Sequence, residues 1–311
     1  MPQYEIQQVA PDSQAAVTKY HADLLSAFAT AETPWSTQYG MTKIVDGQTL
    51  EARFPIDMYS TVFQAFKGNS KYESISQKVV KIQMQAWQAG VDASWAELKA
   101  NGGFSRAPNL LANSAAEAPN DWVTTAIEAN AVCDYDGLSF FNDSHLVNPF
   151  KASSGTFDNS LTSTTFVEAT AMSTLATLED TFAGFKHPDN KKSLGLKLTH
   201  IMVPVTKASL SRRVSGAATF YNGTALVDNP YFGIGVIVNP RLTGTSIYGL
   251  ALNLPGVAPW GVVLGGGGSP EVHTFDEGSE YYKETMRVKV NSFLHGACEM
   301  LAPHCMIKVA P

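Results

Sequence analysis

The chain has 311 residues, of which 44% are hydrophobic and only 16% charged, and its formal net charge is −6. That length supports about two domains with a sizeable core. The charge balance excludes a polyanion-coating protein, since the densest basic runs are Lys186 to Lys192 and Arg212-Arg213.

An average soluble domain carries about 25% charged residues, so self-association is the first expectation: surfaces that meet other chains are poor in charge. Three cysteines, Cys133, Cys298 and Cys305, form no C-x-x-C pair and point to a reduced compartment. The start, Met-Pro-Gln-Tyr-Glu, lacks a signal-peptide pattern, and no apolar run reaches the roughly 18 residues of a membrane span.

Pro11-Asp12-Ser13 caps a first helix, in which Val17, Tyr20, Leu24, Leu25 and Phe28 make one apolar stripe. Nothing directly after it matches, so its expected partner is distant, another subunit included. Between Thr33 and Gly68, Thr42-Lys-Ile-Val45 and Thr49-Leu-Glu-Ala-Arg-Phe54 flank Asp46-Gly47 and read as a β-hairpin. Such an arm is marginal alone and needs a docking surface.

Ser74 to Trp87 reads as a long strand, followed by a short helix capped by Asp92 and carrying Trp95 and Leu98. Ala107 to Ala118 reads as helix, interrupted at Pro119 and restarting at Asn120-Asp121 as far as Ala131. Ala131 to Pro149 is a junction. Asp136-Gly137 is a turn, Phe140 and Phe141 are apolar anchors, and Asn142 to His145 form a polar corner.

Lys151 to Thr164 reads as a loop, and Thr165-Phe-Val-Glu168 as a capping box opening a helix to Phe182. Leu198 to Pro204 is a buried strand and Lys207 to Val214 a short helix, a small α+β layer. The rest is β-like: Gly233–Val238, Tyr248–Leu254, Trp260–Leu264, Val272–Phe275, Glu280–His295 and Met306–Val309.

No constellation carries chemistry. Gly265 to Gly268 lacks the Lys-Ser/Thr and helix that a phosphate loop needs, and reads as a hairpin turn. His295, Cys298, His304 and Cys305 lack metal-site spacing. Cys133 and His145 could form a thiolate–imidazole pair, but no signature surrounds them. Asp134/Asp136 and Glu277/Glu280 are carboxylate pairs of a kind common on loops. Asn142-Asp-Ser and Asn222-Gly-Thr match a glycosylation sequon without a route to secretion. No cofactor or metal is expected.

The order of elements resembles the tailed-phage major capsid protein of the Hong Kong 97 type, an α+β fold. Tyr135-Asp136-Gly137, Phe140-Phe141 and His145 resemble a run in the major head subunits of Mu-like phages and prophages. Ile201–Pro204, Val238-Asn-Pro-Arg-Leu242 and Trp260-Gly261 continue the likeness. It implies an N-terminal arm (1–32), an extended loop (33–70), a peripheral domain with a spine helix (71–135), an axial domain (136–279) and C-terminal strands returning to the peripheral domain (280–311).

The implied function is a non-enzymatic head protein, made in the bacterial cytoplasm and found in the virion. Its subunits would form hexamers and pentamers of an icosahedral shell around double-stranded DNA. The implied partners are further copies of the chain, a separate scaffolding protein, a portal and a decoration protein, with no membrane. Assembly contacts would fall on Leu24, Phe28, Lys43, Ile44, Arg53 and Phe54, and junction packing on Tyr135, Gly137, Phe140, Phe141 and His145. Lys43 and Lys67 lie in or near the arm, but no cross-linking partner is evident, so monomers are expected on a denaturing gel. The alternatives are an encapsulin-like nanocompartment shell and a cytosolic Cys/His enzyme.

Overall fold

The computed structural model describes residues 10–45, 51–57, 77–94, 106–162, 165–188, 192–221, 224–275, 279–285 and 287–311. Asp46-Gly47, Lys67, Trp95, Leu98, Asn222 and Glu277, named above, lie outside them.

The first half holds α1 (Ala10–Thr30), α2 (Trp35–Tyr39), β1 (Met41–Ile44), β2 (Glu51–Asp57), β3 (Gln77–Gln83), β4 (Gln85–Ser94) and α3 (Ala107–Ala129). After the junction come β5 (His145–Leu146), β6 (Thr156–Phe157), β7 (Ser160–Leu161), α4 (Ala171–Gly184), β8 (His200–Val203) and α5 (Val205–Gly216). The chain ends with β9 (Thr219–Tyr221), β10 (Leu226–Asp228), β11 (Gly235–Val238), β12 (Ile247–Leu250), β13 (Trp260–Leu264), β14 (Glu271–Phe275), α6 (Glu280–Thr285), β15 (Arg287–Met300) and β16 (Met306–Val309).

Two five-stranded sheets organise the subunit. In the first, the 14-residue β15 is the axis: β4 pairs antiparallel along one edge, and β13 and β14 lie end to end along the other. Gly265 to Gly268 therefore carries the chain in line from β13 to β14 and is not the hairpin turn expected of it. Gly266, Gly267 and Gly268 all take positive φ, which glycine adopts at little cost. The second sheet has the order β11-β8-β12-β16-β7.

The expected hairpin around Asp46-Gly47 is corrected. β1 pairs parallel with β13, whereas β2 pairs antiparallel with β3, from Glu51↔Gln83 to Asp57↔Gln77. The physical reason is α2. Trp260 donates its indole N–H to the Ser36 carbonyl (2.8 Å), and the Ser36 N–H donates to Asn120 Oδ1 (3.0 Å). The short helix is thus clamped beside β13 before β1 begins. Gly40 fits there because a Cβ would lie 2.3 Å from the Trp260 ring. The partner of β2 therefore lies at Gln77–Gln83, not at Thr42–Val45.

Three helix readings also change. α3 runs unbroken through Pro119, although proline cannot donate to the carbonyl four residues back. Packing holds the helix together, with Ala112, Ala116, Trp122, Val123 and Ile127 all buried. Asp92 lies inside β4, where it forms an ion pair with Arg287 across the sheet (2.8 Å), and the short helix expected after it falls outside the described residues. α4 begins at Ala171, three residues beyond the proposed capping box, because the Thr165 carbonyl is taken by the side chains of Thr170 and Thr174.

Four apolar clusters result. The largest joins the two sheets through Trp122, Ile127, Phe140, Phe141, Met202, Tyr248, Trp260 and Met306. The far face of the second sheet packs on α4 and α5 through Leu175, Leu178, Phe182, Ile201, Val203 and Val214. β2 and β3 bury Phe54, Ile56, Val80 and Ile82 against Val263 and Leu301. α1 lays Tyr20 and Leu24 on Ala107, Ala112 and Val290, so its expected distant partner lies within its own chain.

Close packing gives one test. Gly296 of β15 sits under Trp122, and a Cβ there would come within 2.5 Å of the indole and 2.7 Å of the Val263 carbonyl. Gly296→Ala should destabilise the isolated subunit by about 1–3 kcal/mol, read as a lower denaturant midpoint.

Candidate assembly interface and the junction that positions it

The junction is built from a turn that folds back on itself. Gly137 has φ +81°, and the N–H groups of Gly137 and Cys133 donate to the carbonyls of Cys133 (3.1 Å) and Leu138 (2.8 Å). The turn brings Asp136 under the corner. Its carboxylate accepts from the N–H groups of Leu138 (3.2 Å) and Leu146 (3.0 Å) and lies 2.9 Å from His145 Nδ1. His145 Nε2 lies 2.9 Å from the Phe140 carbonyl, which can only accept, so Nε2 carries a proton. The His145 and Asp136 side chains are both fully buried.

Tyr135 is buried as well and donates to the Leu146 carbonyl (2.8 Å); burial raises its pKa. Asn130, at the end of α3, is left-handed (φ 45°). Its amide exchanges two hydrogen bonds with the Phe141 main chain, at 2.7 and 3.2 Å. Phe140 and Phe141 pack edge to face at 5.0 Å.

One residue that sequence reasoning assigned to a loop completes the network. Asn159 is fully buried, accepts from the Asn142 N–H (2.8 Å), and donates to the carbonyls of Phe140 (2.8 Å) and Pro303 (2.9 Å). It ties the junction to the C-terminal segment. Its only sequence signal is a polar triplet, Asp158-Asn159-Ser160, indistinguishable from exposed loop.

This is structural chemistry. Donor atoms of Cys133, Asp136 and His145 lie within 4.8 Å of one another, the spacing of a metal site. Yet both His145 nitrogens and both Asp136 oxygens already have partners. Burial pushes the Cys133 thiol up to about 11, so it is a neutral thiol at physiological pH. His295, Cys298, His304 and Cys305 do not form such a group among the described residues.

The residues expected at assembly contacts divide sharply. Leu24 and Phe54 are fully buried in the subunit's own core, and Phe28 is half-buried beside it. Ile44 is 62% exposed and Arg53 is exposed, paired with Glu51 at 3.0 Å. Lys43 bonds the Arg53 carbonyl and lies over the Phe54 ring at 4.8 Å. The described strands of the arm therefore turn Phe54, Ile56, Val80 and Ile82 inward and leave Arg53 and Val79 exposed, as Ile44 is.

Two sheets sharing a core, a long helix along one and a separate β2–β3 pair make a Hong Kong 97-like capsid fold. The structure is similar to a procapsid protein of bacteriophage JBD30 (TM-score 0.52, 11% identity, 96% of this chain and 75% of that one). It is also similar to a virus-like particle from Pyrococcus furiosus (0.53, 12%, 94% and 98%) and to the mature capsid of bacteriophage PhiM1 (0.55, 11%, 89% and 87%). No curated protein matches the sequence. A family profile described as phage capsid protein matches residues 77–308, well over half of the chain. The chain belongs to the phage capsid protein family; it is a major capsid protein of the virion and not an enzyme. No helix among the described residues is long and apolar enough to cross a membrane.

Two measurements test the junction. Asp136→Ala would strand His145 Nδ1 and two main-chain N–H groups in the core. The expected loss is about 3–5 kcal/mol of subunit stability, measured by urea unfolding. Second, His304 is buried with Nδ1 unpartnered, and burial, aided by His145, lowers its pKa from 6.5 to about 4. The folded state thus binds this proton less readily than the unfolded chain. Its contribution is complete above pH 6.5 and falls by up to about 3 kcal/mol as the pH drops toward 4. His304→Leu should flatten the decline of stability between pH 6.5 and 4.5.

Proposed function

We propose that the chain is the major head subunit of a tailed phage or prophage, closest to the Mu-like head subunits. Its hexamers and pentamers close into an icosahedral shell around double-stranded DNA. The observation that supports this reading is the β2–β3 hairpin, rooted in its own subunit by Phe54, Ile56, Val80 and Ile82 while Ile44 and Arg53 beside it stay exposed. An arm held at its base and open at its rim is suited to lie on a neighbour, and a symmetric array multiplies modest contacts.

Residues 1–32 act as the arm behind it, 33–70 as the extended loop, 71–135 with β15 as the peripheral domain, and 136–279 as the axial domain apart from β13 and β14, which join the β15 sheet. A separate scaffolding protein, a portal and a decoration protein complete the particle. DNA is contacted without sequence preference, in keeping with the net charge of −6. A nanocompartment shell is the weaker reading, given the phage capsid family.

The test follows from the register. Asp57 and Gln77 are paired, so residues 58–76 can be replaced by Asn-Gly, the preferred two-residue hairpin turn. The shortened subunit should fold with an unchanged circular dichroism spectrum and form no shells. Normal shells in negative-stain micrographs would refute the role of the arm, and shells of the full chain containing protein cargo and no DNA would refute the phage reading.

A further inference from the structure

α4 and α5 lie on the same face of the second sheet. Arg213 of α5 pairs with Glu168, just ahead of α4 (2.6 Å), and the Tyr231 hydroxyl donates to Glu179 of α4 (3.2 Å). On each helix, residues at i, i+4, i+7 and i+11 fall in one row. In α4 the row is Ser173, Thr177, Asp180 and Gly184; in α5 it is Val205, Ser209, Arg212 and Gly216. All eight residues are exposed. The rows correspond position by position, with short side chains, a charge at the third place and a glycine at the fourth, and the charges are of opposite sign.

Among the described residues, Asp180 and Arg212 make no ion pair, in contrast to the neighbouring Arg213, which pairs with Glu168. The α4 row is also ready to lose water. The hydroxyls of Ser173 and Thr177 donate to the carbonyls of Thr170 and Ser173, both at 2.9 Å, and ask nothing of a partner. The α5 side has uncovered apolar surface: Val205, Tyr221, Leu226 and Phe232 are 57%, 47%, 68% and 60% exposed.

A closed ring needs two different patches on each subunit, one for each neighbour. A patch meeting its own copy about a twofold axis would bring Asp180 near Asp180 or Arg212 near Arg212. The geometry points to a second copy of this chain as the occupant. The α5 row of one subunit packs on the α4 row of the next around the capsomer axis, with Arg212 beside the neighbour's Asp180. This contact rests on the shell reading above.

Charge reversal tests it. Asp180→Arg and Arg212→Glu should each fold normally and lower the yield of shells at least about tenfold, because like charges then face each other in every contact. The double reversal should restore the yield to within about threefold of the parent. Single variants that assemble like the parent, or a double variant no better than the singles, would overturn the contact.

A second variant reads proximity directly. In shells carrying Asp180→Cys with Arg212→Cys, oxidation should give a disulfide ladder ending at closed rings of five and six on a non-reducing gel. The parent supplies the background from its own three cysteines. Intact shells without a ladder would overturn this contact alone, and a parent chain that forms no shells would overturn the shell reading along with it.

Discussion

The subunit depends on how a dry corner satisfies its polar groups. Two sheets share one apolar core, and aromatic packing alone would let them slide, since apolar contact has little direction. Asp136, His145 and Asn159 remove that freedom. Between them they take up the main-chain groups of Leu138, Phe140, Asn142, Leu146 and Pro303, each at a defined distance and away from water. Unpaired, any of these groups would cost what a buried hydrogen bond costs to lose. Phe140 and Phe141 supply the burial, and the polar trio selects one relative placement of the sheets.

The junction was legible because its signals are local. An Asp-Gly turn, an aromatic pair and a polar corner within about a dozen residues specify a folded-back turn whatever surrounds it. Most of the C-terminal strands were legible for a similar reason, being apolar runs set between turn residues, but Glu280 to Thr285, read as strand, forms α6, and β15 runs on to Met300. Strand partners were not. β1 and β2 flank a good turn sequence, yet β1 pairs with a strand more than 200 residues away, because Trp260 and Asn120 hold α2 first. Pro119 carried a strong local signal for a break, and burial along both halves of α3 overrode it.

Which of the expected contact residues stay exposed was only half legible, and the cause is specific. Alternation along Glu51 to Ile56 marks two faces but not which one the chain will cover itself. Phe54 and Ile56 are covered because Val263 and Leu301 lie beneath them, a fact of tertiary placement. Leu24 is similar, since its partner helix begins about 80 residues later. Asn159 left no usable trace at all, because a buried asparagine and a loop asparagine look alike in sequence.

The rooting of the β2–β3 hairpin has a mechanical side. A beam clamped at one end passes any load on its free end into the clamp. Here the clamp is the strand β13 and the turn after β15, with Ile82 against Gly261 and Leu301. Protein interiors are stiff and transmit strain. A push on the arm is therefore felt in the sheet that also holds β1 and α2, and bending of that sheet is felt at the arm. With the hairpin lying on a neighbour as proposed, each subunit would act as a lever with its fulcrum inside its own core, and curvature imposed at one position would pass to the next as a force.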